Sequence, residues 1–176
     1  MTMTLIETKT LGTAAASIEF TSIPQDATDL LVITSLRFDI DLADVNLKLN
    51  GTTSGYSMRL LYGTGSSVAS ANNSSGAFVW AGFSNFSSST SSTFSNSQLY
   101  FPNYRGASNK TVSIDGVTGN NASTNYHQIT SGLWANTAAI TTLNFSGGGS
   151  GNFVAGSTIS LYKITKGSDG IVTTSP

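Results

Sequence analysis

The chain has no cysteine, three prolines and one histidine, and only 10% of its 176 residues carry charge. Each shortage excludes something. Without cysteine there is neither a disulfide framework nor a thiolate zinc site. A charged fraction this small is less than half the usual ~25%. With a net charge of −1 it leaves no basic stripe for nucleic acid and no polybasic patch for a membrane surface. No stretch reaches the ~18 apolar residues of a membrane span. The opening residues "MTMTLIETKTLG" lack the basic and apolar blocks of a secretory signal, so the expectation is a protein made without classical export.

Serine, threonine and asparagine supply more than a third of the chain. They solubilise without charge, which suits extended surfaces that pack beside identical copies, where like charges would repel. The apolar residues come in short β-branched or aromatic runs bounded by Gly, Asn, Ser or Pro, the strand signature. In "AASIEFTSI" Ile18 and Phe20 share a face. "VNLKLNG" points Val45, Leu47 and Leu49 one way and Asn46, Lys48 and Asn50 the other. "YSMRLLYG" repeats the pattern with Met58, Leu60 and Tyr62, leaving Arg59 toward solvent or a partner subunit.

Further strands are expected at "MTLIETKTL", "DLLVITSLRFDI", "AFVWAGF", "STFSNSQLYF", "KTVSIDGV", "TNYHQITSGLWA", "AAITTLNFS" and "GSTISLYKI". The expectation is therefore an all-β, antiparallel, jelly-roll-like β-sandwich of about 8–11 strands with little or no helix. The one helical candidate is a single turn at "DATDLL", with Asp26 as N-cap. Residues 1–165 form one domain, with 1–12 as an N-terminal strand or arm and 166–176 as a C-terminal tail. The "SSSTSST" segment and "NFSGGGSGNF" read as flexible loops.

"GTTSGYS" and "GTGSSVAS" have neither the lysine nor the following helix of a phosphate-binding loop. Asn50-Gly51 instead predicts a hairpin turn, because both residues accept positive φ. Asp39, Asp41 and Asp44 in "FDIDLAD" could supply oxygens to calcium, but lack the EF-hand spacing; they read as solvated residues at a strand end. His127 could serve a Ser-His-Asp triad, yet no GxSxG elbow accompanies it and it reads as the polar face of a strand. Glu7 and Glu19 are the only glutamates, and both fall in early strands, a poor basis for a glycosidase pair. Trp80, Trp134, Tyr56, Tyr100, Tyr104 and Tyr126 could stack on sugars, but in strands such residues mostly pack. The Ser/Asn/aromatic segment 71–97 is the candidate contact surface for a glycan or a neighbouring subunit. No catalytic, cofactor-binding or metal-binding residue is assigned.

Three stretches, "AASIEFTSIPQDATDLLVITSLR", "VNLKLNGTTSGYSMRLLYGTGSS" and "LWANTAAITTLNFSGGGSGNFVAGSTISLYKI", together resemble a group of tailed-bacteriophage virion proteins, many from phages of cyanobacteria. The resemblance rests on Ile18, Phe20, Ile23 and Pro24, then on the span from Leu47 to Gly63, and finally on Phe153 to Ile164. It marks no catalytic residue. It implies a jelly-roll-like sandwich in a virion, assembled in the host cytoplasm and displayed on the particle. The leading expectation is a non-enzymatic capsid decoration, or cement, protein. It would be a homotrimer bound to the major capsid protein, with the N-terminal strand and C-terminal arm making contact. The alternative is a tail module that binds host glycans. Neither nucleic acid nor membrane is an expected partner.

Overall fold

The period-2 alternation read from the sequence becomes two stacked antiparallel sheets. A computed structural model describes residues 1–41, 44–120 and 125–166. Among these there are twelve strands and no helix: β1 (Thr2–Thr10), β2 (Ser17–Phe20), β3 (Asp29–Leu36), β4 (Asp44–Leu49), β5 (Tyr56–Gly63), β6 (Val68–Gly76), β7 (Val79–Phe83), β8 (Ser95–Phe101), β9 (Lys110–Val117), β10 (His127–Trp134), β11 (Leu143–Gly147) and β12 (Thr158–Thr165). One sheet has the order β1-β12-β3-β8-β9-β10-β5-β6, the other β2-β11-β4-β7.

Eight of these strands form a nested set. β1 pairs with β12, β2 with β11, β3 with β8 and β4 with β7, all antiparallel. The chain thus behaves as one long ribbon folded back at β4–β7 and rolled so that successive pairs alternate between the sheets. Two hairpins are inserted into the ribbon. β5–β6 interrupts β4–β7, and β9–β10 interrupts β8–β11; side by side they widen the large sheet by four strands.

The core lies between the sheets. Ile18, Phe20, Val45, Leu47 and Leu49 are all buried, as their alternation required. Phe38 stacks on Phe153 with ring centroids 4.5 Å apart, and Tyr56 lies at 6.3 Å from Trp134. β7 packs beneath the inserted strands. There a Cβ on Gly132 would sit 2.7 Å from Val112 Cγ1 and 2.8 Å from Val79 Cγ1, so β10 needs glycine to lie this close to β7.

Several expectations are corrected. Asn50 and Gly51 do take positive φ, at 50° and 66°, but they do not form a hairpin. β4 belongs to the small sheet and β5 to the large one, so the turn is a corner between sheets. It is closed by Thr52 N–H donating to Leu49 O (3.0 Å) and by the Tyr56 hydroxyl, which accepts from Leu49 N–H (2.7 Å). The hairpin of this region lies one step later, where Thr64 N–H donates to Ser67 O (2.9 Å) between β5 and β6. The strands number twelve rather than about 8–11, because "VASANNSSG", which overlaps the Ser/Asn-rich segment 71–97, is a further strand that its mate β5 fixes in the sheet. "DATDLL" forms no helical turn. Asp26 instead accepts from Lys163 at 2.6 Å, and Asp29 begins β3.

The "SSSTSST" segment is likewise folded rather than flexible. The Arg37 guanidinium donates to the carbonyls of Thr90 (2.9 Å), Thr93 (3.0 Å), Ser89 (3.0 Å) and Ser87 (3.3 Å). Asp41 holds the same loop from the other side, accepting from Ser87 Oγ (2.7 Å) and Ser88 N–H (3.1 Å). Within residues 1–12, Thr2–Thr10 form the strand β1, which pairs along β12. Residues 167–176 of the expected tail lie outside the described residues.

Candidate functional site

The outer face of the large sheet is the broadest surface that the fold leaves uncovered. Strand register sets its side chains in rows. One row runs Thr8, Ser160, Ile33, Gln98, Asp115, Ile129, Leu61, Ser70 across all eight strands. The next begins Leu5, Tyr162, Leu31, Tyr100, Ser113 and continues through Ser131 and Arg59 to Asn72. Most members are uncharged, Asp115 and Arg59 being the exceptions. Over the inserted strands Leu61 (47% exposed) and Ile129 (53%) form an apolar centre. A concavity of about 600 Å³ spans β5, β6, β8, β9 and β10 there, with Arg59, Asn72, Gln98, Tyr100 and Asp115 around Leu61 and Ile129. Arg59 does face solvent, its guanidinium turned back onto the Met58 carbonyl (2.8 Å).

The residues weighed for chemistry are dispersed. His127 stands on this exposed face with Nε2 3.4 Å from Asp115 Oδ1, also exposed; the group beside it is a carboxylate rather than the serine of a triad. Glu7 lies on β1 beside Lys9 (3.5 Å), whereas Glu19 is on β2 of the other sheet. The three aspartates go separate ways. Asp39 accepts from Asn152 N–H (2.8 Å) and Asn152 Nδ2 (3.0 Å), and these bonds hold its carboxyl below the ordinary range. Asp41 is lowered by its bonds to Ser87 and Ser88, while burial raises Asp44. Among the described residues, no three His, Cys, Asp or Glu side chains are grouped to hold a metal.

The aromatics divide in favour of packing. Tyr56, Trp134 and Tyr104 are fully buried, and the Tyr104 hydroxyl donates to the Pro24 carbonyl. Tyr126 joins Phe83 (4.4 Å) and Tyr62 (6.1 Å) in a half-buried cluster, and Trp80 is half-buried on β7. Tyr100 alone of the six lies on the outer face. Segment 71–97 is not one surface: it comprises most of β6, all of β7, the Arg37-bound loop and the start of β8.

Two buried charges were not legible as such. Lys110 is 2% exposed and caps the carbonyls of Gly106 (2.6 Å) and Thr137 (3.2 Å); burial lowers its pKa. Asp29 is fully buried at the head of β3. It accepts from the Tyr100 hydroxyl (2.8 Å), Asn103 N–H (2.9 Å) and Lys166 Nζ (3.2 Å). Burial pushes this carboxyl up, but the three donors outweigh it and hold it below its ordinary value. A carboxylate lowered on folding stabilises above its unfolded pKa of ~3.9, and the contribution fades as pH falls through the folded value. Asp29→Asn is expected to lose about 1–3 kcal/mol at pH 7, the worth of hydrogen bonds to a charged acceptor. Urea unfolding at pH 7 and pH 3 should show the gap from wild type closing at the lower pH. A gap that is equal at both would contradict this account.

Comparison with protein-family models, with curated proteins and with solved structures finds no match to this chain.

Proposed function

We propose that this chain is a non-enzymatic structural protein of a bacteriophage particle, a trimeric decoration protein that binds the outside of the head and reinforces it. The observation that carries the reading is the nested ribbon. Its two four-strand sets, β1-β12-β3-β8 and β2-β11-β4-β7, support reading the sandwich as jelly-roll-like, an architecture used by viral capsid and lectin domains. The virion resemblance from Ile18 to Ile164 supports the same reading. So does the large outer face, which is rich in Ser, Thr and Asn and nearly free of charge. Identical copies can crowd onto a shell through such a surface without repulsion. Clamping several capsid subunits at once multiplies a modest contact.

A tail module that binds host polysaccharide is the second reading. It is favoured by the concavity around Leu61 and Ile129, whose rim offers Arg59, Asn72, Gln98 and Asp115 for hydrogen bonds. Particles assembled with and without the chain separate the two. Decoration predicts many copies per head, and loss of heat and osmotic resistance in their absence. Unchanged resistance with lost adsorption to cells would replace it by the tail reading.

A further inference from the structure

An open sheet exposes unpaired N–H and C=O groups at each end, and folded chains normally block them with charge, proline, bulges or short edge strands. The two sheets here have four edges. β1 carries Glu7 and Lys9 and a register break between Leu5 and Glu7. β2 is four residues long and carries Glu19. β7 is five residues long, opposite a register break at Val45/Asn46. β6 differs from all three. It runs for nine residues, "VASANNSSG", with no charge and no proline, and its register break lies near its C-terminal end.

Exposed apolar side chains lie at both ends of this sheet, Met3 and Leu5 on the charged, broken edge β1 and a second group beside β6. Val68 on β6 is 74% exposed, and Leu61, directly opposite Ser70, is next to Ile129 across β5 and β10. An unblocked edge and an apolar patch therefore coincide.

We infer that β6 is a pairing edge for a second copy of this chain, β6 against β6 about a two-fold axis normal to the sheet. Three features select a copy of itself. Such pairing is necessarily antiparallel, which continues the alternation of the eight strands. It sets Val68, Ser70 and Asn72 against the same residues, so no like charges meet. Every residue from Val68 to Asn72 is small enough on both faces for a strand to lie alongside. The pair would share one sheet of sixteen strands, with the two Leu61–Ile129 patches flanking the seam. This goes beyond the proposed function and does not rest on it: the contact can form between free chains or between neighbouring trimers.

Sedimentation of the purified chain tests it. Two doubly substituted chains are needed, Ser70→Lys with Asn72→Lys, and Ser70→Glu with Asn72→Glu. Both positions are exposed, and circular dichroism checks the fold of each variant. Whichever residue from 70 to 72 lies on the axis, like charges then face each other across the seam. Each variant alone should associate at least tenfold more weakly than wild type, and mixing the two should restore association. Ser35→Lys, exposed on β3 far from the seam, should associate as wild type does. Three results would overturn the inference: a wild-type chain whose mass shows no two-fold step, lysine and glutamate variants that associate like wild type, or a mixture no tighter than its components.

Discussion

Phe153→Ala is expected to lower the free energy of unfolding by about 3–5 kcal/mol, the range for removing a fully buried aromatic side chain. Phe153 has no exposed surface and stacks on Phe38 at 4.5 Å. Its backbone exchanges two hydrogen bonds with Ala15, N–H to O at 2.8 Å and O from N–H at 3.0 Å. The residue thus ties the β11–β12 connection to the strand β1–β2 connection and to the end of β3. A cavity there cannot collapse without moving three connections, which places the expected loss high in its range. Phe153→Leu, which keeps most of the volume, should lose less. Urea denaturation of both variants checks the order. A loss below about 1.5 kcal/mol for alanine would show that the site relaxes freely.

Arg37→Met is the second large effect, about 2–4 kcal/mol, from hydrogen bonds between a charged donor and four carbonyls. Among the described residues, no carboxylate pairs with this guanidinium; its partners are the backbone oxygens of residues 87, 89, 90 and 93 and, at 3.4 Å, the Thr93 hydroxyl. Methionine retains much of the side chain's apolar length, so the change isolates the loss of the donors. Arg37→Lys should fall between, since an ammonium cannot span the carbonyls as the planar fork does. Besides the lower midpoint, the variant should be cut rapidly by protease within residues 85–94, while the rest of the chain stays resistant. Equal cleavage of wild type and variant would show that the loop holds itself.

What the sequence made legible follows from the range of each interaction. Alternation is local, and it located eleven of the twelve strands, including the buried faces of β2 and β4. β6 escaped because its alternation is faint: Ala69 and Ala71 alternate with Ser70 and Asn72, a contrast too small to stand out beside large apolar residues. The geometry of Asn50-Gly51 was legible for the same local reason, since few residues accept positive φ. Which sheet received the next strand was not, because that choice rests on the nested pairing of β4 with β7 and of β5 with β10. The order within residues 85–94 was invisible because its anchors, Arg37 and Asp41, lie some fifty residues earlier. The outer face is written in seven strand registers at once, and no single segment contains it.

The corner at Asn50-Gly51 also sets how the protein ages. Asn-Gly is the dipeptide most prone to deamidation, which begins when the glycine nitrogen attacks the side-chain carbonyl carbon. Here that side chain is committed. Oδ1 accepts from Thr141 N–H (2.8 Å), Thr142 N–H (3.0 Å) and Thr141 Oγ1 (3.2 Å), and Nδ2 donates to the Ala139 carbonyl (2.8 Å). Ring closure must first release these bonds, so the reaction proceeds only from a locally opened corner. Deamidation at Asn50 therefore acts as a slow chemical clock whose rate follows how often this corner is released from residues 139–142, ahead of β11 in the same sheet.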